Sequence, residues 1–290
     1  MSGSKPLLGL FCAIGVIFIW SGFIVFSRAG VITSLTPYDI TALRFMVAGA
    51  LVLPFAWVWW PRHLPLRATI VMSLCGPGAI YVMLMYFGLL EASAAYAGVF
   101  ANGSLPVFTS LMVMIIARLI PGRRQLFAIG VIVAGGVISG TPGMVAGGDN
   151  LLTGIGLFLT ASAVISLYIF GVQHWKVTPR QALALVTIPN TLVFLPLWYF
   201  FLPSGLADTE LSIILFQALF QGLGPGFLAV ILFAVAAMHL GATPTAGFAA
   251  AVPASASVLA MPVLAEYPTP MEWGGIAVVT LGLVLLIVRR

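Results

Sequence analysis

The chain has 290 residues, 61% hydrophobic and only 7% charged, with a net charge of +5. Ordinary soluble domains carry roughly 25% charged residues, so no water-facing surface of the usual kind can be built here. The basic residues sit in short loops between apolar runs instead of along one helix face. That placement argues against a nucleic-acid partner and fits anchoring at the cytoplasmic face of a bilayer.

Apolar runs of about 20 residues, enough to cross a hydrocarbon core of roughly 30 Å, follow one another almost without pause. Ten spans are predicted, at Leu7–Arg28, Pro37–Trp60, Ala68–Leu90, Ala95–Leu119, Gln125–Gly140, Leu151–Val172, Gln181–Phe201, Glu210–Met238, Pro244–Leu264 and Met271–Val288. The first apolar run is longer than the usual 7–15 residues of a signal-peptide core and is read as a retained span. The longest connections, Thr141–Asn150 and Leu202–Thr209, are rich in Gly, Pro and Ser and too short to fold alone. Cys12 and Cys75 fall inside apolar segments and imply no disulfide framework. The expected fold class is an all-α polytopic membrane protein.

If the amino terminus is internal, Lys5, Arg62, Arg67, Arg118, Arg123, Arg124, Lys176, Arg180, Arg289 and Arg290 all fall at the cytoplasmic side. Asp39, Glu91, Asp149, Asp208, Glu210, Glu266 and Glu272 then fall outside, and both termini are internal. Only Arg28 and Arg44 break the pattern. Arg44 is expected to snorkel outward or to pair with Asp39.

The halves repeat. Gly76-Pro77-Gly78 opens one apolar run and Gly224-Pro225-Gly226 another; from each break to the following proline, Pro106 or Pro253, is 30 or 29 residues. Turns fall between, the second at Leu240-Gly241-Ala242-Thr243. Basic loops in the first half correspond to acidic loops in the second, as an odd number of spans per repeat requires of an inverted copy. The predicted organisation is therefore two inverted five-helix repeats, residues 1–145 and 146–290, around a central cavity. Matching interruptions in two halves point to a transporter's binding site, because unwound backbone survives in a bilayer only where it lines a cavity or is packed in protein. Gly76, Pro77, Gly78, Pro106, Gly224, Pro225, Gly226 and Pro253 are the candidate hinges.

Trp20-Ser21, Pro37 with Leu43-Arg44-Phe45, Leu105-Pro106, Gly130 with Gly135-Gly136, Leu264-Ala265-Glu266, and Gly274-Gly275 with Gly282 follow one another in order along the two copies of five spans. In these positions the whole chain resembles the drug/metabolite transporter superfamily, in its bacterial ten-span EamA-type branch. The resemblance implies an inner-membrane exporter of amino acids or other small metabolites. It departs from the family at Gly122-Arg123, where a Gly-Glu pair is common.

No phosphate-binding loop is possible, since Lys5 and Lys176 follow no glycine-rich turn. His63, His174 and His239 lie at loops and no acid lies deep in a span, which argues against a membrane enzyme or metal centre and weakens an organic-cation exporter. No cofactor or metal is expected, and a monomer is favoured. The candidate substrate-binding residues are Trp20, Ser21, Tyr81, Met85, Asn102, Ser166, Tyr168, Gln217, Gln221, Phe248 and Ser255, a set of aromatic, small and neutral-polar side chains. A cavity without formal charge would suit a zwitterion such as an aromatic or large neutral amino acid. Gln217 and Gln221 could equally bond a neighbouring helix, and a stripe such as Gly247, Ala251, Ser255 is more often a packing seam. Trp57, Trp59, Trp60, Trp175 and Trp198 read as interfacial belts. Driving by the substrate's own gradient and proton antiport both remain open. An organic-cation exporter, a membrane-embedded enzyme and an assembly factor are the alternatives.

Overall fold

A computed structural model describes residues 5–145, 149–240, 245 and 248–287. Gly241, Ala242, Thr243, Pro244, Gly247, Val288, Arg289 and Arg290, which figure in the sequence expectations, lie outside the described residues. Among those described, the regular structure is helical, with ten main segments and a short 3-10 turn at Leu206–Asp208. They are α1 (Pro6–Val31), α2 (Pro37–Trp59), α3 (Leu66–Glu91), α4 (Ala94–Ala117) and α5 (Arg123–Val145). After them come α6 (Asp149–His174), α7 (Pro179–Phe201), α8 (Leu211–Leu240), α9 (Val252–Leu264) and α10 (Pro270–Ile287). The first eight are long and apolar enough to cross a membrane; α9 and α10 are shorter apolar helices.

Local chemistry sets several boundaries identically in the two halves. α2 and α7 both begin with a capping box: the Thr36 and Thr178 hydroxyls accept from the backbone N–H of Asp39 and Gln181, whose side chains accept back from the threonine N–H groups. Two orphan donors are thereby satisfied at each start, and the following Pro37 or Pro179 needs no donor at that position. α4 and α9 both end on a left-handed residue, Arg118 at φ 53° and Ala265 at φ 54°. Such a residue lets the chain turn away from its last carbonyls.

The interruptions take three forms. In α3 the chain opens fully, with Gly76 and Gly78 extended between helices ending at Cys75 and starting at Ala79. In α4 the backbone passes through a π turn, Gly98–Gly103, before the α-helix resumes at Leu105. In α8 a π turn also spans Gly224–Leu228, so the expected break there is a bulge, and the helix runs on to Leu240. One extra residue per turn leaves a carbonyl unpaired without parting the chain, and bulges of this kind gather at functional sites. Pro253 lies in the first turn of α9, just past a turn at Ala250 and Ala251.

The connection expected over Thr141–Asn150 is instead mostly helical, since α5 continues through Pro142 to Val145 and α6 starts at Asp149. Neighbouring helices allow a proline inside a membrane helix.

Packing follows a regular exchange. α1 lies against α8 and α9, while α6 lies against α3 and α4; α2 contacts α8, and α7 contacts α3; α2 pairs with α7 and α5 with α10. Small residues make the α5–α10 seam. A Cβ at Gly135 would stand 2.6 Å from the Val279 nitrogen, and one at Gly275 would stand 2.5 Å from the Ser139 nitrogen. Backbones approach this closely only where side chains are missing.

Candidate functional site between the two interrupted helices

α2 and α7 lie side by side and bring α3 and α8 to the middle of the bundle, with the Gly76–Gly78 opening on one side and the Gly224–Leu228 turn on the other. Arg44 on α2 stands between them. It is 3% exposed, and its Nη2 donates to the carbonyls of both Pro77 and Pro225 at 3.4 Å. The other terminal nitrogen, Nη1, is buried without a hydrogen-bond partner. The guanidinium carbon lies 5.8 Å from the Phe23 ring centroid; the Tyr86 and Tyr81 hydroxyls act on the guanidinium electrostatically, and Tyr86 also through a side-chain hydrogen bond. A cavity of about 20 Å³, room for roughly one water, is lined by Arg44, Pro77, Tyr168, Thr187, Pro225 and Gly226.

Arg44 thus neither snorkels nor pairs with Asp39, contrary to the sequence expectation. Asp39 is already occupied: its Oδ2 accepts from the Thr36 N–H and hydroxyl and the Gly205 N–H, and its Oδ1 from Trp198 Nε1 at 2.9 Å. Trp198 is therefore a partner of Asp39 as well as a residue near one end of a span. The interior also carries a formal charge, which corrects the expectation of a neutral cavity.

Asn190 on α7 manages the opening in α3. Its Oδ1 accepts from the Ala79 N–H at 2.8 Å, and its Nδ2 donates to the Ser73 carbonyl at 3.0 Å and to Val186 at 2.7 Å. The freed acceptor and donor on the two sides of the break are thus paired by one side chain. Aligning the two capping boxes puts Ala48 opposite Asn190 and Val186 opposite Arg44. Ala48 offers no such groups to α8, where the backbone bulges without opening.

Beside Arg44, Gln221 accepts from the Tyr86 hydroxyl at 3.3 Å and donates to Ser27 Oγ at 3.0 Å and to Gln217 Oε1 at 3.2 Å. Gln217 donates to the Phe26 carbonyl at 2.7 Å. Both glutamines are fully enclosed and bind α8 to α1, which is the helix-bonding alternative for them.

Of the other candidates, Tyr168 lines the central cavity and Tyr81 is beside Arg44. Met85 is in the main core, and Ser21 is buried with its hydroxyl unpartnered. Ser166 is buried, donates to Ser162 and Leu105 carbonyls, and accepts from Thr109. Trp20 stacks on Phe233 at 5.8 Å, Phe248 packs against Cys12, Ala13 and Ala236, Asn102 sits in the π turn of α4, and Ser255 lies half-buried on α9. These last four line neither described cavity. Among the hinge candidates, Pro77, Pro225 and Gly226 line the central cavity, and a Cβ on Gly98 would meet the Pro253 Cα at 3.0 Å.

Sequence reasoning gave no role to Asn190 or Tyr86. A lone amide in an apolar span, unmatched by the other copy, was the available signal for Asn190.

One end of the bundle is latched. Arg28 on α1 pairs with Glu266, Nε to Oε1 at 3.0 Å, and donates to the Leu89 and Leu90 carbonyls closing α3. Glu266 Oε2 accepts from the Ala94 N–H at the start of α4. The pair explains why Arg28 departs from the general charge pattern. Near the basic ends of α3 and α6, a wider cavity of about 250 Å³ is lined by residues that include Arg67, Phe170, His174 and Trp175.

Non-helical backbone is thus gathered around a buried polar centre inside a helical bundle. Residues 7–141 match the model of the EamA-like transporter family. Among curated proteins none matches in sequence. One solved crystal structure of a protein is 16% identical over 96% of this chain and 96% of its own, with a TM-score of 0.66, a likeness of fold alone.

Proposed function

We propose that the protein exports small amphipathic metabolites, aromatic or large neutral amino acids foremost, across the bacterial inner membrane by alternating access. Two inverted five-helix repeats, 1–145 and 146–290, move about the interruptions in α3, α4 and α8 and about Pro253 at the start of α9. The exchange of helix pairings between the halves supports this reading, as do the matching caps of α2 and α7. The observation that carries it is the convergence of both Gly-Pro-Gly segments on one buried cation, Arg44.

The Arg28–Glu266 latch acts as the outer gate, and the cavity near Arg67 and His174 opens toward the cytoplasm. The termini are cytoplasmic and the working unit is a monomer. The substrate's own gradient drives the movement, a reading supported by the placement of the acids toward the ends of the spans, away from the middle where a proton carrier would sit.

Counterflow into liposomes holding the purified protein tests the proposal, with labelled phenylalanine, threonine and methionine compared with an organic cation. Uptake of the amino acids without an imposed ion gradient is the expected result. Uptake of the cation alone would overturn it in favour of an organic-cation exporter.

A further inference from the structure

We infer that Arg44 is the binding group for an anionic end, a carboxylate, on the transported molecule, and that its present bonds to Pro77 and Pro225 hold the two interrupted helices together until that carboxylate arrives. The inference deepens the transport reading and rests on it for the word transported.

Taking a guanidinium out of water costs several kcal/mol, which proteins normally offset with a carboxylate and a full set of hydrogen bonds. Arg44 has neither. Its two carbonyl contacts are long, the Tyr86 hydroxyl supplies a neutral side-chain hydrogen bond and no charge, and Nη1 has no partner within hydrogen-bond distance. The ion pair found among the described residues is Arg28–Glu266, at the end of the bundle, while Asp39 on the same helix is filled by Thr36, Trp198 and Gly205. A planar fork with an open donor, facing a cavity, fits a carboxylate in the two-pronged geometry that makes these pairs strong.

The contacts that a carboxylate would displace belong to the two Gly-Pro-Gly segments. With roughly one water's room in the cavity, nothing larger can reach Nη1 unless α3 and α8 move apart at Pro77 and Pro225. Entry of the anion and release of the interruptions are therefore one event. An empty carrier stays fastened by Arg44, and a loaded one is freed.

The requirement is chemical and can be probed without knowing the natural substrate. Phenylalanine and 3-phenylpropionate carry the carboxylate; phenylalaninamide and phenethylamine are matched molecules without it. In detergent, both acids are expected to raise the unfolding temperature of the parent protein and the amide and amine are not. Arg44→Met should fold with unchanged or higher stability, because it removes an unpaired buried charge, and lose the response to both acids by about 30-fold or more in apparent affinity. Arg44→Lys, which keeps the charge without the fork, should retain a weaker response. If the acids stabilise the parent but no amino acid moves in liposomes, the carboxylate site stands and the export reading fails. An equal response to phenylalaninamide and phenylalanine, no response to either acid, or an Arg44→Met protein that still prefers acids would each overturn the inference. A purely structural arginine would instead show Arg44→Met destabilised with no change in preference among the probes.

Discussion

Replacing Asn190 by leucine keeps the branched heavy-atom skeleton, with two bulkier methyl groups, and removes the groups that close the opening in α3. Two contacts between helices disappear, the Ala79 N–H to Oδ1 at 2.8 Å and Nδ2 to the Ser73 carbonyl at 3.0 Å. The third, to Val186, lies within α7 and matters less. Interhelical hydrogen bonds in membrane proteins average about 0.6 kcal/mol, and net values in soluble proteins run to about 1.5 kcal/mol, so the loss is about 1–3 kcal/mol. At 1.4 kcal/mol per factor of ten, the opening equilibrium around Gly76–Gly78 shifts about 5- to 150-fold. Amide hydrogen exchange at Ala79 should accelerate by that factor while amides in the α5–α10 seam keep their protection. A double-mutant cycle with Gly78→Ala adds a second check. A Cβ at Gly78 would stand 2.6 Å from the Asn190 Nδ2, so Gly78→Ala should cost clearly less in Asn190→Ala, where that side chain is gone. Unchanged exchange at Ala79, or strict additivity in the cycle, would refute the claim that Asn190 holds the break.

Gly275→Ala should lower thermal stability by about 1–3 kcal/mol, because its Cβ would meet the backbone of Ser139 at 2.5 Å. Gly274→Ala next to it, with nothing within 4 Å, should be neutral or raise stability by up to about 1 kcal/mol; equal melting of the two variants would contradict the close-packed seam. Glu266→Gln removes the charge of the latch, so the Ala94 amide should exchange about 5- to 30-fold faster for a loss of about 1–2 kcal/mol. Protection equal to the parent's would show that the pair closes nothing. Trp198→Phe takes one donor from the Asp39 carboxylate and should cost about 1.5–3 kcal/mol in unfolding, whereas a residue acting only in an interfacial belt would tolerate phenylalanine with little change.

The sequence by itself determined the class, the number of helical segments and most of their limits, because each of these is a local property of the chain. A run of apolar residues long enough for a bilayer is helical wherever it packs, since no water is present to satisfy its backbone. Thr36-Pro37 and Thr178-Pro179 mark helix starts by a hydrogen-bonding pattern that lies within four residues. The Gly-Pro-Gly segments likewise announced an interruption, although not its form. Whether a proline-bearing stretch opens or merely bulges depends on what another helix offers it: Asn190 faces the first and Ala48 is near the second.

The partners of the charged and amide side chains were decided only in three dimensions. Arg44 could be placed in its helix by counting, yet the two carbonyls it touches are 33 and 181 residues away. Gln217 and Gln221 were recognisable as too polar for lipid, but the chain order could not say whether they face a cavity or α1. In a bilayer every such group must find a partner within the protein, and the partner is fixed by which helices touch. The tertiary structure therefore set a buried cation, Arg44, between two interrupted helices and gave each enclosed glutamine its partner.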